Sequence, residues 1–163
     1  MIRSDMAVLC HRLDAASRVD PGACARHTAL MIPAITPLYA GLLGFLFLAL
    51  SFRIPMLRLR LRVGIGDGGH PELARAIRVQ ANFAEYVPLC LLLLWLVELE
   101  GYSPWFVHCM GLLLLVARGL HAYGLSRTAN ASRPRFLGTL LTFAVLLLTS
   151  GLAVLAAALK LAQ

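Results

Sequence analysis

Five residues able to ionise or to hydrogen-bond strongly recur at helical spacing in one short stretch: Arg75, Arg78, Asn82, Glu85 and Tyr86. At about 100° per residue they project within a single arc of about 100°, while Leu73, Ile77, Val87, Leu91 and Leu94 fall outside it. Two guanidinium groups beside one carboxylate leave an excess of positive charge, and that excess asks for an anion. Arginine holds carboxylates through two parallel hydrogen bonds. A peptide-like anion with two carboxylates and one ammonium would place the carboxylates on the arginines and the ammonium on Glu85. The structural alternative is a network in which Arg78 bonds Asn82, Asn82 bonds Glu85, and the arginines reach to the membrane surface simply to hold helices together.

The element that carries this stripe is one of four long apolar segments. The chain has 163 residues, of which 60% are hydrophobic and 14% charged, with a formal net charge of +7. Soluble domains run to about 45–50% apolar and about 25% charged, so a soluble globular protein is excluded. Spans are expected at about 31–52, 72–98, 104–125 and 136–160, each long enough for a hydrocarbon core of about 30 Å. The second span holds only if Arg75, Arg78 and Glu85 are tolerated inside it. An ionisable group at mid-membrane costs about 2.5–3.5 kcal/mol, so the stripe must face protein, bound ligand or water. Inside the same span Pro88 removes one amide and frees the carbonyl of Ala84.

Pro33, Pro37 and Pro55 punctuate the ends of span 1, Pro71 and Glu72 suit the first turn of span 2, and Gly101-Tyr102-Ser103-Pro104 makes a short turn into span 3. The expected fold is an all-α membrane protein, a four-helix up-and-down bundle. Loop 1 is expected to hold Arg53, Arg58, Arg60 and Arg62, and loop 3 to hold Arg127, Arg133 and Arg135. Loop 2 offers only Glu98 and Glu100. The positive-inside rule then puts loops 1 and 3 in the cytoplasm and both ends of the bundle, Met31 and Gln163, on the far side. Residues 1–30 fit neither a span nor a signal peptide, and are expected to be an extension upstream of a start at Met31 or a disordered tail. The membrane domain is 31–163.

Other chemistries find little support. Of the 15 basic residues 14 are arginine and one is Lys160, clustered rather than spread over a surface, which argues against a nucleic-acid partner. Cys10, Cys24, Cys90 and Cys109 form neither a metal nor a disulfide spacing, and no histidine pair has ligand spacing, so no metal is expected. Four spans with neither an inverted repeat nor a broken helix pair offer little of a transport path. Small residues four apart, Ala40 and Gly44, Gly138 and Thr142, or Ala153 and Ala157, would let helices approach closely.

The stretch from Pro71 to Leu89, with its Arg-x-x-Arg-x-x-x-Asn-x-x-Glu-Tyr pattern followed by Pro88, resembles the signature of the MAPEG family, the membrane-associated proteins in eicosanoid and glutathione metabolism. The resemblance extends over about residues 31–163, through Ala117-Arg118-Gly119-Leu120-His121-Ala122-Tyr123-Gly124, and is nearest to the small bacterial inner-membrane branch. It implies a homotrimer with glutathione at each subunit interface near the cytoplasmic side, and a lipophilic electrophile arriving from the bilayer. It also implies that Arg78, Asn82, Glu85 and Tyr86 contact glutathione, with Gln80 as a further contact from a neighbouring subunit. Arg75, Arg118, His121 and Tyr123 extend that candidate set, although the Arg-x-x-His-x-Tyr-Gly arrangement departs from the eicosanoid-forming members. By the same resemblance Arg58 or Arg60 would stabilise the glutathione thiolate. The function implied is a glutathione-dependent membrane transferase or peroxidase. The alternative is a non-catalytic lipid-binding or scaffold protein of the same fold.

Overall fold

The computed structural model describes residues 33–128 and 132–162. The reading of residues 1–30 and the cysteines Cys10 and Cys24 lie outside them. Four helices follow one another: α1, Ile35–Leu61; α2, Pro71–Leu99; α3, Pro104–Arg127; and α4, Arg133–Leu161. Among the described residues there is no strand. All four helices are long and apolar enough to cross a membrane.

The core draws on every helix: Leu43 of α1, Phe83, Val87 and Cys90 of α2, Leu114 of α3 and Val145 of α4 form one buried cluster. The exterior is as apolar as the core, with Phe45 72% and Leu147 75% exposed, as expected where lipid is the solvent. Burial against lipid gives no hydrophobic gain, so close packing must hold the helices together. The α3–α4 seam has that form. A Cβ on Gly138 would stand 2.5 Å from the Ala117 carbonyl oxygen, and Thr142, one turn on, is buried beside it. The expected spacing of small residues is therefore used here inside one chain.

Helix α1 departs from expectation at its end. It does not stop near Phe52 but runs on through Pro55 to Leu61, so Arg53, Arg58 and Arg60 are helical and loop 1 begins at Arg62. The reason is packing: Ile54, Leu57 and Leu61 meet Leu73, Ala76 and Ile77 of α2. Pro55 is tolerated on the exposed side. Arg62 closes the helix in the left-handed region, φ 55°, and the Arg62 and Val63 amides both donate to the Arg58 carbonyl. The start of the helix also differs, at Ile35 rather than Met31.

The other helices lie near the expected spans, but Arg127 is the last residue of α3 and Arg133 and Arg135 lie in the first turn of α4, so these three arginines are helical and not in loop 3 as expected. Pro71 and Pro104 are the first residues of α2 and α3, and α2 continues through Pro88. Loops 1 and 3 share one end of the bundle, the arginine-rich end. At the opposite end Glu98, late in α2, accepts hydrogen bonds from the amides of Ala34, Ile35 and Thr36, each at 2.8 Å. Lys160, at the end of α4, pairs there with Glu100 at 2.7 Å.

Candidate functional site

Helix α2 buries Leu73, Ala76, Val79, Phe83, Val87, Cys90, Leu94 and Val97. The polar stripe lies on the flank of that face rather than at its centre, so the bundle divides it. Its inner members turn to other helices. Asn82 accepts a hydrogen bond at 2.8 Å from Arg118 Nη2 of α3. Half-buried Tyr86 sets its ring 5.7 Å from that of Phe143 on α4. The outer members leave the bundle: Arg78 Nη1 stands 3.5 Å from Glu85 Oε1, with the two side chains 64% and 49% exposed. The network Arg78–Asn82–Glu85 is therefore replaced by two pairs, Arg118–Asn82 and Arg78–Glu85.

Arg118 is 2% exposed, and its guanidinium lies 5.5 Å from the Phe83 ring centroid in addition to bonding Asn82. Its Nε, and that of half-buried Arg75, are buried without a hydrogen-bond partner. A buried cation held by one amide and one aromatic face is under-satisfied by the usual standard. It supplies positive potential from behind the stripe.

Glu85 is the midpoint of the 29-residue α2, about 21 Å along the axis from its first residue. An exposed ion pair at that depth cannot rest against acyl chains at low cost. Protein, ligand or water must face it there.

The remaining candidates are placed as follows. His121 is buried, on the same side of α3 as Arg118, but turns to α4, where its Nδ1 lies 3.1 Å from Thr139 Oγ1. The Thr139 hydroxyl donates to the Arg135 carbonyl at 3.0 Å. Its single proton is thus committed, and the imidazole must donate from Nδ1, leaving Nε2 as a buried acceptor with no partner. Tyr123 is 56% exposed and lies under the Arg127 guanidinium, 5.1 Å away, apart from Arg118 and His121. Gln80 is half-buried away from the stripe. Arg58 donates from Nη1 to the Gly64 carbonyl at 3.2 Å, tying loop 1 to α1, and Arg60 is exposed. A shallow pocket of about 420 Å³ joins loop 1 to the stripe, lined by Gly66, Asp67, Ala74, Ile77, Arg78 and Ala81.

Two polar features at the opposite end escaped the sequence. One is the Glu98 carboxylate on the α1 amides; the signal for it is an α1 first turn with no acidic residue and an Ala34 N-cap whose side chain has no polar atom to cap the helix. The other is Tyr39 Oη against His108 Nδ1 at 3.2 Å, with Gly111 leaving room for the Tyr39 ring. Cys90 and Cys109 are free thiols, and no group of three potential metal ligands occurs among the described residues.

Comparison with known proteins gives a consistent picture. Inner membrane protein YecN of Escherichia coli (strain K12) is 41% identical over 90 residues, which cover 55% of this chain and 69% of that protein. Microsomal glutathione S-transferase 2 of Homo sapiens is 31% identical over 80 residues, covering 49% of this chain and 52% of that protein. The MAPEG family profile matches residues 36–155, which take in nearly all of the four helices and the whole stripe. With four apolar helices in sequence, an Arg-Asn-Glu-Tyr face on the second and this match over most of its length, the chain belongs to the MAPEG family.

Proposed function

We propose that the chain is a glutathione-dependent membrane transferase or peroxidase. Glutathione would sit against the outer face of α2 where a second copy covers it, in a homotrimer of the bacterial inner membrane with loops 1 and 3 cytoplasmic. The observation that carries this reading is the exposed Arg78–Glu85 pair in the first half of a membrane helix, backed by the hydrogen bond from buried Arg118 to Asn82. Arg78 and Arg75 would take the two carboxylates and Glu85 the ammonium. Asn82, whose carbonyl oxygen is already occupied by Arg118, would offer its NH₂ as a donor. Tyr86 would supply a hydroxyl, Gln80 would reach the ligand only from a neighbouring subunit, and His121 and Tyr123 only from α3.

A free thiol has a pKa of about 8.5, so only a few per cent is ionised at neutral pH, and an adjacent cation both favours the thiolate and holds it for attack. Arg58 or Arg60 is assigned that place. In a transfer, the thiolate sulfur forms a bond to the electrophilic carbon and the leaving group departs with its electron pair. In a peroxidase cycle, two glutathiones are oxidised to the disulfide while one hydroperoxide is reduced to an alcohol and water. Neither route uses a protein nucleophile or a metal.

The non-catalytic scaffold reading is favoured by one observation. Tyr123 lies under Arg127 and His121 turns to Thr139, so within a single chain these two candidates of α3 do not gather with Arg118 into one site. Two measurements separate the readings: titration calorimetry of glutathione into detergent-purified protein, and the ultraviolet absorbance of the bound thiolate. An enzyme binds with micromolar to millimolar affinity, loses binding in both Arg78→Ala and Glu85→Gln, and gives thiolate absorbance that Arg58→Ala or Arg60→Ala removes. A folded protein that binds no glutathione overturns the enzyme reading.

A further inference from the structure

We propose that the α3–α4 seam at the arginine-rich end is a site for an anionic phospholipid, with its phosphate on Arg133 and an acyl chain in the groove below. This inference is independent of the glutathione reading. The groove, of about 700 Å³, is formed by Leu120 of α3 with Ser132, Arg133, Pro134, Phe136 and Leu137 at the start of α4. Phe136 is 71% and Leu137 45% exposed on its wall, although both open the apolar part of the helix. Polar groups come only from Ser132 and Arg133, at the rim.

Charge identifies the occupant. From Pro104 to Gln163 the sequence contains no Asp or Glu, while Arg118, Arg127, Arg133 and Arg135 fall between positions 118 and 135. Arg118 is turned inward to Asn82, and Arg127 lies over Tyr123. Arg133 is exposed and, among the described residues, has no carboxylate partner. Basic residues at the membrane surface attract anionic headgroups by about 1 kcal/mol each. The depth of the groove excludes a headgroup alone. Leu120 lies seven residues before the last residue of α3, about 10 Å along the axis, so the floor sits in the hydrocarbon while Arg133 reaches the water boundary. A soluble phosphate would leave that floor unused. A zwitterionic lipid would bring an ammonium against the arginines.

The test is native mass spectrometry of the full chain, released from neutral detergent after incubation with equal amounts of phosphatidylglycerol and phosphatidylcholine. Phosphatidylglycerol is expected to be retained in preference. Arg133→Gln should lower its retention about fivefold, the equivalent of one surface arginine. Leu137→Trp, which fills the groove without changing charge and alters only an exposed position, should lower it too. Lys160→Gln, at the opposite end, should leave retention unchanged. Equal retention of the two lipids by the wild type overturns the proposal, as does undiminished retention in Leu137→Trp. Glycerol phosphate competing as effectively as the lipid would reduce the site to an anion site and overturn the acyl part.

Discussion

Arg118 and Asn82 are joined across the α2–α3 seam by a 2.8 Å hydrogen bond from Nη2 to Oδ1, and the guanidinium that makes it is 2% exposed. This bond fixes which way the Asn82 amide faces. With its oxygen turned inward to the cation, its NH₂ is the part left for anything that meets α2 from outside.

Removing either partner leaves a buried polar group behind, but the two losses are unequal. Asn82→Leu strands a charge and should cost about 3 kcal/mol, whereas Arg118→Leu strands only a carbonyl and should cost about 1–2 kcal/mol. The double variant should be more stable than the sum of the single losses implies. Reversible unfolding in mixed micelles measures all four proteins, and strict additivity would mean that the bond contributes nothing.

Glycine at position 138 should be irreplaceable for a steric reason. Its added Cβ would meet the Ala117 carbonyl oxygen at 2.5 Å and the His121 amide nitrogen at 2.7 Å, both backbone atoms that cannot move aside. Gly138→Ala is expected to destabilise by about 1–3 kcal/mol. Gly44→Ala, with nothing within 4 Å of its Cβ, should leave single-chain stability unchanged. Thermal unfolding of the two variants side by side would show whether close approach at the α3–α4 seam matters.

The Glu98 carboxylate is a helix cap supplied from another helix. Three amides at the start of α1 donate to it, and an anion at a helix N-terminus is favourable on dipole grounds as well. Glu98→Ala should accelerate hydrogen exchange at Ile35 and Thr36 while leaving the amides around Leu43 protected. Unchanged exchange at the first turn would show that water replaces the carboxylate without loss.

The exposed Arg78–Glu85 pair predicts contact between copies. Ala84, exposed beside Glu85 and lining an apolar groove with Ala40, Gly44 and Pro88, lies on the surface that a second chain would cover. In a background free of the other cysteines, Ala84→Cys should give covalent dimers in bilayer-reconstituted protein, since one thiol per chain can join only two copies. Single chains alone after saturating treatment with a short bifunctional maleimide would place lipid, not protein, against that face.

Much of the fold was legible because a membrane makes sequence patterns blunt. Every span must be long, apolar and helical to satisfy its own backbone, so the four segments and the proline starts of α2 and α3 could be placed without coordinates. The end of α1 was not legible. Arg53, Pro55, Arg58 and Arg60 read as loop, and only the packing of Ile54, Leu57 and Leu61 on α2 keeps the chain helical through them.

The sequence by itself determined that this chain lives in lipid, that it forms four helices, and that Arg75, Arg78, Asn82, Glu85 and Tyr86 share one side of the second. Periodicity fixes which residues lie together on a helix, because 3.6 residues make a turn wherever that helix is found. It does not fix where that side points. Tertiary packing decided that the stripe is divided, with Asn82 and Tyr86 drawn inward to α3 and α4 and Arg78 and Glu85 left on the outside. It also turned His121 to Thr139 of α4. These outcomes are set by contacts between residues far apart in the chain, which no local pattern contains.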